Sequence, residues 1–249
     1  MMKVNNINID SIWAGALEKL TRKIEENKDR KILLLLSGGS VVAMYGRLGE
    51  FLKEYDGKIA LGQVDERFRP KAKFKMQNAK CKINVDINKE RIGETGLWNI
   101  CEERGIPYFT VSGEGTLIES ANEYNETMRQ CFNEYNFKIA VLGIGEDGHT
   151  AGLIPGYGRE WDREKLVVGY KLNHESRIKN QELRIKERIT MTPRALRKLD
   201  DALVAAFGEK KKDALVRIVR DEKHHNIDQT PGIIIREIKS VDLITDQNI

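Results

Sequence analysis

The residues best suited to chemistry are Asp147 and His149, two positions apart in the glycine-rich run GIGEDGHTAG at 143–152. This run overlaps the apolar segment IAVLGI, which is typical of a strand buried on both faces of a parallel sheet. Ligands of open α/β sheets collect at the carboxyl ends of strands, so the pair predicts acid–base chemistry, with His149 as the base and Asp147 orienting it. The structural alternative is a glycine-rich turn whose Asp147 only caps backbone amides.

A second candidate is the run Ser37-Gly38-Gly39-Ser40, between the apolar segment KILLLL and an amphipathic stretch. Glycines let backbone amides point at a ligand, while a following helix N-terminus and serine hydroxyls add positive potential and donors. These features predict a phosphate-binding loop, although the run matches neither the Walker A pattern nor GxGxxG. The alternative is an ordinary turn with Ser40 as the N-cap of a helix.

The run VDERFRP at 64–70 is the third candidate, again at the end of a predicted strand. Its carboxylates, on Asp65 and Glu66, offer acid–base groups, and its guanidiniums, on Arg67 and Arg69, offer bidentate recognition of anions. Taken by itself, the run favours a solvated loop of ion pairs.

Alternating helices and strands must position these runs. Apolar residues at helical spacing predict a helix from Ile12 to Ile24, capped by Asp10 or Ser11, and further helices over 41–55, 120–135 and 209–220. Apolar runs predict strands over 31–36, 58–64, 139–144, 166–170, 187–192, 201–207 and 241–246. The β-α-β alternation predicts a doubly wound α/β architecture.

Composition narrows the classes of function. The 249 residues, 40% of them hydrophobic, suffice for one large domain or two small ones. A net charge of +4 is too small for a nucleic-acid binder but suits an anionic small substrate. The three cysteines match no zinc spacing and predict reduced thiols. With no apolar run of membrane-spanning length and no signal-peptide pattern, we expect a cytoplasmic protein.

Taken in order, LSGGS, VDERF and GIGEDGHTAGLIPG closely resemble the 6-phosphogluconolactonase family, part of a larger group with the glucosamine-6-phosphate deaminases. The resemblance spans about 30 to 246 and continues in ERITMT, AAFGEKK, PGIII and VDLITD. It implies a modified Rossmann-like α/β fold, a mostly parallel sheet flanked by helices, in a single domain over 1–249. It also implies hydrolysis of 6-phospho-D-glucono-1,5-lactone by water activated at His149, without metal, cofactor or covalent intermediate.

The resemblance further implies a role for individual residues. The catalytic set is His149, Asp147, Arg67 and Asp65, and whether Asp65 or Asp147 assists His149 is left open. The implied phosphate- and substrate-binding set is Ser37, Gly38, Gly39, Ser40, Lys211, Arg188 and Asn78, with Lys210 and Lys212 as alternatives to Lys211. The expected partner is a phosphorylated sugar lactone, not nucleic acid or membrane, and the expected state is a monomer or small homo-oligomer.

Particular residues separate this family from its nearest competitor. Deaminases carry Asp-Glu-Tyr where this chain has Asp65-Glu66-Arg67, and Glu-Pro where it has Leu153-Ile154-Pro155, so both positions favour the lactonase. The chain departs from the lactonase pattern at Val41-Val42, where Thr-Pro is usual, at Gln77-Asn78, where Ser-Asn is usual, and in the charged stretch 173–188. A deaminase-type isomerase and a non-catalytic phosphosugar-binding protein are the alternative functions.

Overall fold

The computed structural model describes residues 2–6, 12–69, 87–173, 185–220 and 226–249. Within these ranges the chain forms ten strands and eight α-helices. The strands are β1 (Met2–Asn6), β2 (Ile32–Leu36), β3 (Ile59–Gln63), β4 (Asp65–Arg67), β5 (Tyr108–Phe109), β6 (Phe137–Gly143), β7 (Val167–Lys171), β8 (Glu187–Met191), β9 (Asp201–Ala206) and β10 (Val241–Thr245). The helices are α1 (Ile12–Glu25), α2 (Tyr45–Glu54), α3 (Asn88–Gly93), α4 (Leu97–Arg104), α5 (Leu117–Glu134), α6 (Gly158–Trp161), α7 (Pro193–Leu196) and α8 (Lys212–Val219).

Seven strands form one parallel sheet in the order β1-β10-β9-β6-β2-β3-β5. Strand β2 shows how its sequence specifies this position, since all five residues of ILLLL are buried. Leu33 and Leu35 pack into the apolar layer on one face, and Ile32, Leu34 and Leu36 pack into the layer on the other. The predicted class, a mostly parallel α/β sheet covered by helices, is confirmed.

The carboxyl ends of neighbouring parallel strands meet at one edge of this sheet. The SGGS run follows β2, the DER run follows β3, and the run with Asp147 and His149 follows β6. The lysines at 210–212 come after β9. Parallel pairing of β3, β2, β6 and β9 therefore gathers the three candidate runs and these lysines at the edge where α/β folds bind ligands.

The three remaining strands form a second, antiparallel sheet in the order β4-β8-β7. Two of these, β7 and β8, were predicted as strands, whereas the DER run was predicted only as the end of a strand. The register places Asp65 opposite Thr190 and Arg67 opposite Arg188. The small sheet thus holds the third candidate run in an extended conformation beside the main sheet.

The four predicted helices are present and differ from the predictions only at their ends, whereas α3, α4, α6 and α7 were not predicted. Helix α1 begins and ends within one residue of the predicted bounds, while its predicted capping residues Asp10 and Ser11 lie outside the described residues. Helix α5 begins three residues earlier than predicted, because Thr116 and Glu119 form a reciprocal capping box. The stretches at 41–55 and 209–220 each start as a 3-10 helix, at 39–44 and 209–211. In the part of the chain that the structure describes, no helix is long and apolar enough to cross a membrane.

Candidate active site

A cavity of about 540 Å³ opens at the carboxyl edge of the parallel sheet. The three candidate runs and the lysine segment after β9 meet around it. The sequence-predicted residues that line it are Ser37, Gly38, Gly39, Ser40, Asp65, Arg67, Asp147, His149, Lys210 and Lys211. Lys212 is not among the lining residues and instead begins α8. One concave site therefore collects predicted residues that are up to 174 positions apart in the sequence, from Ser37 to Lys211.

Asp147 and His149 form a tight pair at the mouth of this cavity. The His149 Nδ1 lies 2.6 Å from Asp147 Oδ1, and the His149 backbone N–H donates to the same oxygen at 3.0 Å. Burial works to raise the pKa of Asp147, but the hydrogen bonds and charge of His149 hold that pKa below its ordinary value. Because Nδ1 faces a carboxylate, it carries the proton and Nε2 is the nitrogen available as a base.

The backbone around this pair explains why glycine is needed next to it. A Cβ on Gly145 would lie 2.1 Å from His149 Nδ1 and 2.8 Å from Asp147 Oδ1, so any side chain there would displace the imidazole. The Gly145 N–H donates to the His149 carbonyl at 2.9 Å and closes the turn. Ala151 follows with φ of 52°, a left-handed conformation that is uncommon for a residue with a Cβ. The turn that presents His149 is thus fixed by close packing and by an unusual backbone conformation.

Asp65 lies between several cations in the floor of the cavity. Burial raises the pKa of its carboxyl above the ordinary value, against the opposing charges of Arg67, Arg188 and His149 and a hydrogen bond from Asn88. The Asn88 amide donates to both the Asp65 carbonyl, at 3.0 Å, and its Oδ2, at 3.1 Å. Asp65 is therefore a restrained carboxylate in a positively charged setting.

Glu66 has a different role from the one that the sequence indicated. Its side chain is 3% exposed and is absent from the cavity lining. Its carboxylate accepts four hydrogen bonds of 2.7–2.8 Å, from the Gln63 side chain and from the backbone amides of Arg67, Asn88 and Lys89. Burial raises the pKa of Glu66 to about 7, while these four donors oppose the shift. Glu66 thus connects the end of β3, strand β4 and the start of α3 beneath the site.

Asn88 is a site residue that sequence reasoning missed. It is 2% exposed, lines the cavity, and its Oδ1 has no hydrogen-bond partner among the described residues. The Asn88 amide packs directly on Gly38, where an added Cβ would lie 1.9 Å from Oδ1. The predicted asparagine, Asn78, lies outside the described residues. No local signal joins Asn88, the first residue of α3, to Asp65, because the two residues are 23 positions apart in the sequence.

The SGGS run leaves β2 and enters the 3-10 helix at 39–44, which continues into α2. The Ser37 N–H donates to the Val141 carbonyl at 3.2 Å, and the Tyr45 hydroxyl donates to the Ser37 carbonyl at 2.8 Å. Within the described ranges, the buried Ser37 Oγ has no hydrogen-bond partner. The first amides of a helix lack intrahelical acceptors, so this loop presents donors to the cavity. Lys210 and Lys211 line the same cavity, and together these groups suit a phosphate.

Arg188 is placed apart from the other predicted phosphate-binding residues. It is 3% exposed, does not line the cavity, and donates through Nη1 to the carbonyls of Ile185 and Glu187. Burial lowers the pKa of its guanidinium, and the charge of Arg67 lowers it further. Direct contact with a ligand in the cavity would require Arg188 to rearrange. Its position therefore supports an electrostatic effect on Asp65 instead.

Two aromatic residues that the sequence did not single out also line the cavity, Trp13 on α1 and Phe207 after β9. Their rings meet edge to face, with centroids 5.0 Å apart and an interplanar angle of 83°. Among the described residues, no group of three or more His, Cys, Asp or Glu side chains is arranged to hold a metal ion.

Comparison with known proteins gives this site a context. A family model described as glucosamine-6-phosphate isomerases/6-phosphogluconolactonase matches residues 8–243. The 6-phosphogluconolactonase of Rattus norvegicus is 31% identical over 208 residues, covering 80% of this chain and 73% of that protein. The glucosamine-6-phosphate deaminase of Staphylococcus haemolyticus is 26% identical over 261 residues, covering 100% of this chain and 98% of that protein.

The likeness extends to three dimensions. The crystal structure of 6-phosphogluconolactonase from Thermotoga maritima superposes with a TM-score of 0.71 at 19% identity, and 98% of each chain is covered. That agreement supports the fold, and the family model adds the sequence evidence over nearly the whole chain. The resemblance inferred from the three runs is thereby confirmed. This chain belongs to the family of glucosamine-6-phosphate isomerases and 6-phosphogluconolactonases.

Proposed function

We propose that this protein hydrolyses 6-phospho-D-glucono-1,5-lactone to 6-phosphogluconate. The observation that carries the proposal is the contact of 2.6 Å between Asp147 and His149 in a cavity that also contains a glycine-rich loop and two lysines. The pair of Asp147 and His149 supplies a base, and the glycine-rich loop and the lysines supply donors for a phosphate. The similarity to the Rattus norvegicus 6-phosphogluconolactonase supports the same reaction.

In the proposed mechanism His149 activates a water molecule. Its Nε2 removes a proton from the water while the oxygen attacks the lactone carbonyl carbon. Arg67, which lines the same cavity, stabilises the negative charge that develops on the carbonyl oxygen. The tetrahedral intermediate then expels the ring oxygen, which takes a proton from the imidazolium, and the acid product ionises. Asp147 holds the imidazole in the required tautomer and stabilises its charged form.

The phosphate of the substrate is assigned to the other side of the cavity. The backbone amides of Gly38, Gly39 and Ser40 and the Ser40 hydroxyl approach it from one loop, and Lys210 and Lys211 from another. Hydrogen bonds to charged groups contribute about 1.5–3 kcal/mol each, so losing the phosphate should be costly. Unphosphorylated gluconolactone should therefore be hydrolysed with a much lower kcat/KM than the phosphorylated lactone.

Deamination of glucosamine 6-phosphate is the second candidate, because the similarity to the Staphylococcus haemolyticus deaminase covers the whole chain. One feature of the cavity opposes it. Ile154 lines the cavity at the segment where deaminases carry Glu-Pro, so no carboxylate is supplied there for amine chemistry. The lactonase is the better supported function for this reason.

The test follows lactone consumption above its spontaneous hydrolysis, in an assay coupled to NADPH formation from 6-phosphogluconate. We expect activity in the wild type and a kcat lower by about 10²–10⁴-fold in His149→Ala, as for the loss of a general base. The variant should still bind 6-phosphogluconate in calorimetry. Ammonia release from glucosamine 6-phosphate without lactonase activity would favour the deaminase, and a His149→Ala variant with normal kcat would refute the assigned base.

A further inference from the structure

We infer that Trp13 is a ligand-binding residue of the cavity, whose indole N–H donates a hydrogen bond to the phosphate of the bound sugar. The inference deepens the proposed function, because it assigns a specificity-determining contact within the same site. Three observations support it: the position of Trp13 in the cavity lining, its indole N–H donor, and the packing of its ring against Phe207. The ligand chemistry is a phosphate monoester on a small polar sugar acid or lactone.

The three tryptophans of the chain differ in what their indole N–H groups do. Trp98 donates to the Lys89 carbonyl and Trp161 to the Ile154 carbonyl, each at 3.0 Å, and both are buried. Trp13 is half-buried and lines the cavity, and in the described part of the chain its N–H has no acceptor. An indole nitrogen is only a donor, so a phosphate oxygen or a ligand hydroxyl is the kind of group that it suits.

Trp13 lies off the stripe that packs α1 against the sheet. The fully packed positions of that helix are Ile12, Ala16, Leu20 and Ile24, and each is buried. Trp13 is one position beside this stripe and faces the cavity with only part of its surface covered. Part of its ring packs against the buried apolar layer on this face of the sheet, and the remaining part is exposed and available to contact a ligand.

The location of Trp13 indicates which part of the ligand it contacts. Its ring packs edge to face on Phe207, which directly precedes the segment with Lys210 and Lys211. Helix α1 also packs against the 3-10 helix that begins the glycine-rich loop. The aromatic pair therefore lies near both groups of phosphate donors. Apolar rings there exclude water, which strengthens the charge interactions beside them.

The test compares Trp13→Phe, which keeps an aromatic ring and loses the N–H, with Trp98→Phe, whose indole lies on α4 outside the cavity lining. We expect Trp13→Phe to bind 6-phosphogluconate roughly 10-fold more weakly in calorimetry, as for the loss of a hydrogen bond to a charged group. Binding of gluconate, which has no phosphate, should be unchanged. In the lactonase assay KM should rise while kcat is retained. Trp98→Phe also removes a buried donor, to the Lys89 carbonyl, so its stability should fall, but its affinities for 6-phosphogluconate and gluconate should match those of the wild type.

Tryptophan fluorescence provides a readout that does not depend on turnover. Titration with inorganic phosphate or 6-phosphogluconate should change the emission of the wild type and of Trp98→Phe, but not that of Trp13→Phe. Normal phosphate affinity in Trp13→Phe, or an equal loss for gluconate and 6-phosphogluconate, would overturn the inference. If the wild type lacks lactonase activity yet shows the Trp13-dependent phosphate signal, the proposed reaction fails and the phosphate contact stands.

Discussion

Replacing Gly38 with alanine tests the contact that joins the glycine-rich loop to the floor of the cavity. An added Cβ would lie 1.9 Å from Asn88 Oδ1, 2.3 Å from its Cγ and 2.8 Å from its Nδ2. Carbon and oxygen atoms that are not bonded do not approach this closely, so the Asn88 amide must move by about 1 Å or more. Asn88 is 2% exposed, and moving its amide would disturb its contacts with Asp65.

The size of the effect follows from what the Asn88 amide holds. It donates to the Asp65 carbonyl and to Asp65 Oδ2, at 3.0 and 3.1 Å, and a shift of this size weakens both bonds. A hydrogen bond to a charged group contributes about 1.5–3 kcal/mol, so we expect the free energy of unfolding to fall by about 2–3 kcal/mol. A displacement of about 1 Å in a catalytic site can cost about 10²-fold in rate, and we expect kcat/KM to fall by that order.

The measurement is kcat/KM in the coupled lactonase assay, together with urea denaturation. Gly143→Ala is the matched control, since Gly143 lines the same cavity, has nothing within 4 Å of an added Cβ, and does not have a positive φ. If Gly38→Ala acts through Asn88, the double variant with Asn88→Ala should lose little more activity than Asn88→Ala does. Additive losses, or a Gly38→Ala variant within about two-fold of the wild type, would refute the reasoning.

Three further changes test other parts of the molecule. Asp147→Asn should lower kcat by less than the roughly 10⁴-fold seen when a triad carboxylate becomes an amide. The reason is that Asp147 Oδ1 also accepts the His149 backbone N–H, which keeps an oxygen facing Nδ1. Steady-state kinetics of Asp147→Asn and Asp147→Ala would measure the difference. Lys23→Met should lower the free energy of unfolding by about 3 kcal/mol in urea, because Lys23 Nζ lies 2.7 Å from Asp201 and 2.9 Å from Asp242, all largely buried. Burial raises the pKa of Cys101 and Cys131 to about 11, so at pH 8 about one thiol in 10³ is ionised. Both thiols should therefore resist alkylation by iodoacetamide until the protein unfolds, which peptide mapping would measure.

Local sequence predicted most of the main sheet because its strands are apolar runs that local patterns reveal. The run ILLLL became the buried strand β2, and the apolar runs ending near Gln63 and Gly143 became β3 and β6. Strand β1, with the sequence MKVNN, was missed because only two of its residues are strongly apolar. Its strand conformation comes from parallel pairing with β10, which is a long-range contact.

Local sequence does not reveal the second sheet, because β7 and β8 carry apolar residues as the main strands do, whereas β4 consists of three charged residues. The run VVGYK is as apolar as a strand of the main sheet, and nothing in its own sequence indicates antiparallel pairing with β8. Helix α3 was missed for a related reason. It has no side-chain cap of its own, and Glu66, 22 residues before Asn88, accepts its first amides instead. A signal that depends on two distant segments is invisible to a local pattern.

The DER run shows how far residue types alone can be taken at a functional site. Its two carboxylates suggested a pair of acid–base groups, but an extended strand alternates its side chains between two faces. Strand β4 therefore directs Asp65 and Arg67 to the cavity, while Glu66 points beneath it and is saturated by four donors. Gln63 cannot release Glu66 by turning its amide, because its Oε1 accepts the Val111 N–H at 2.9 Å. Glu66, which the sequence pattern offered as an acid–base group, thus positions Asp65 and Arg67. It does so from a buried network of hydrogen bonds that connects β3, β4 and α3.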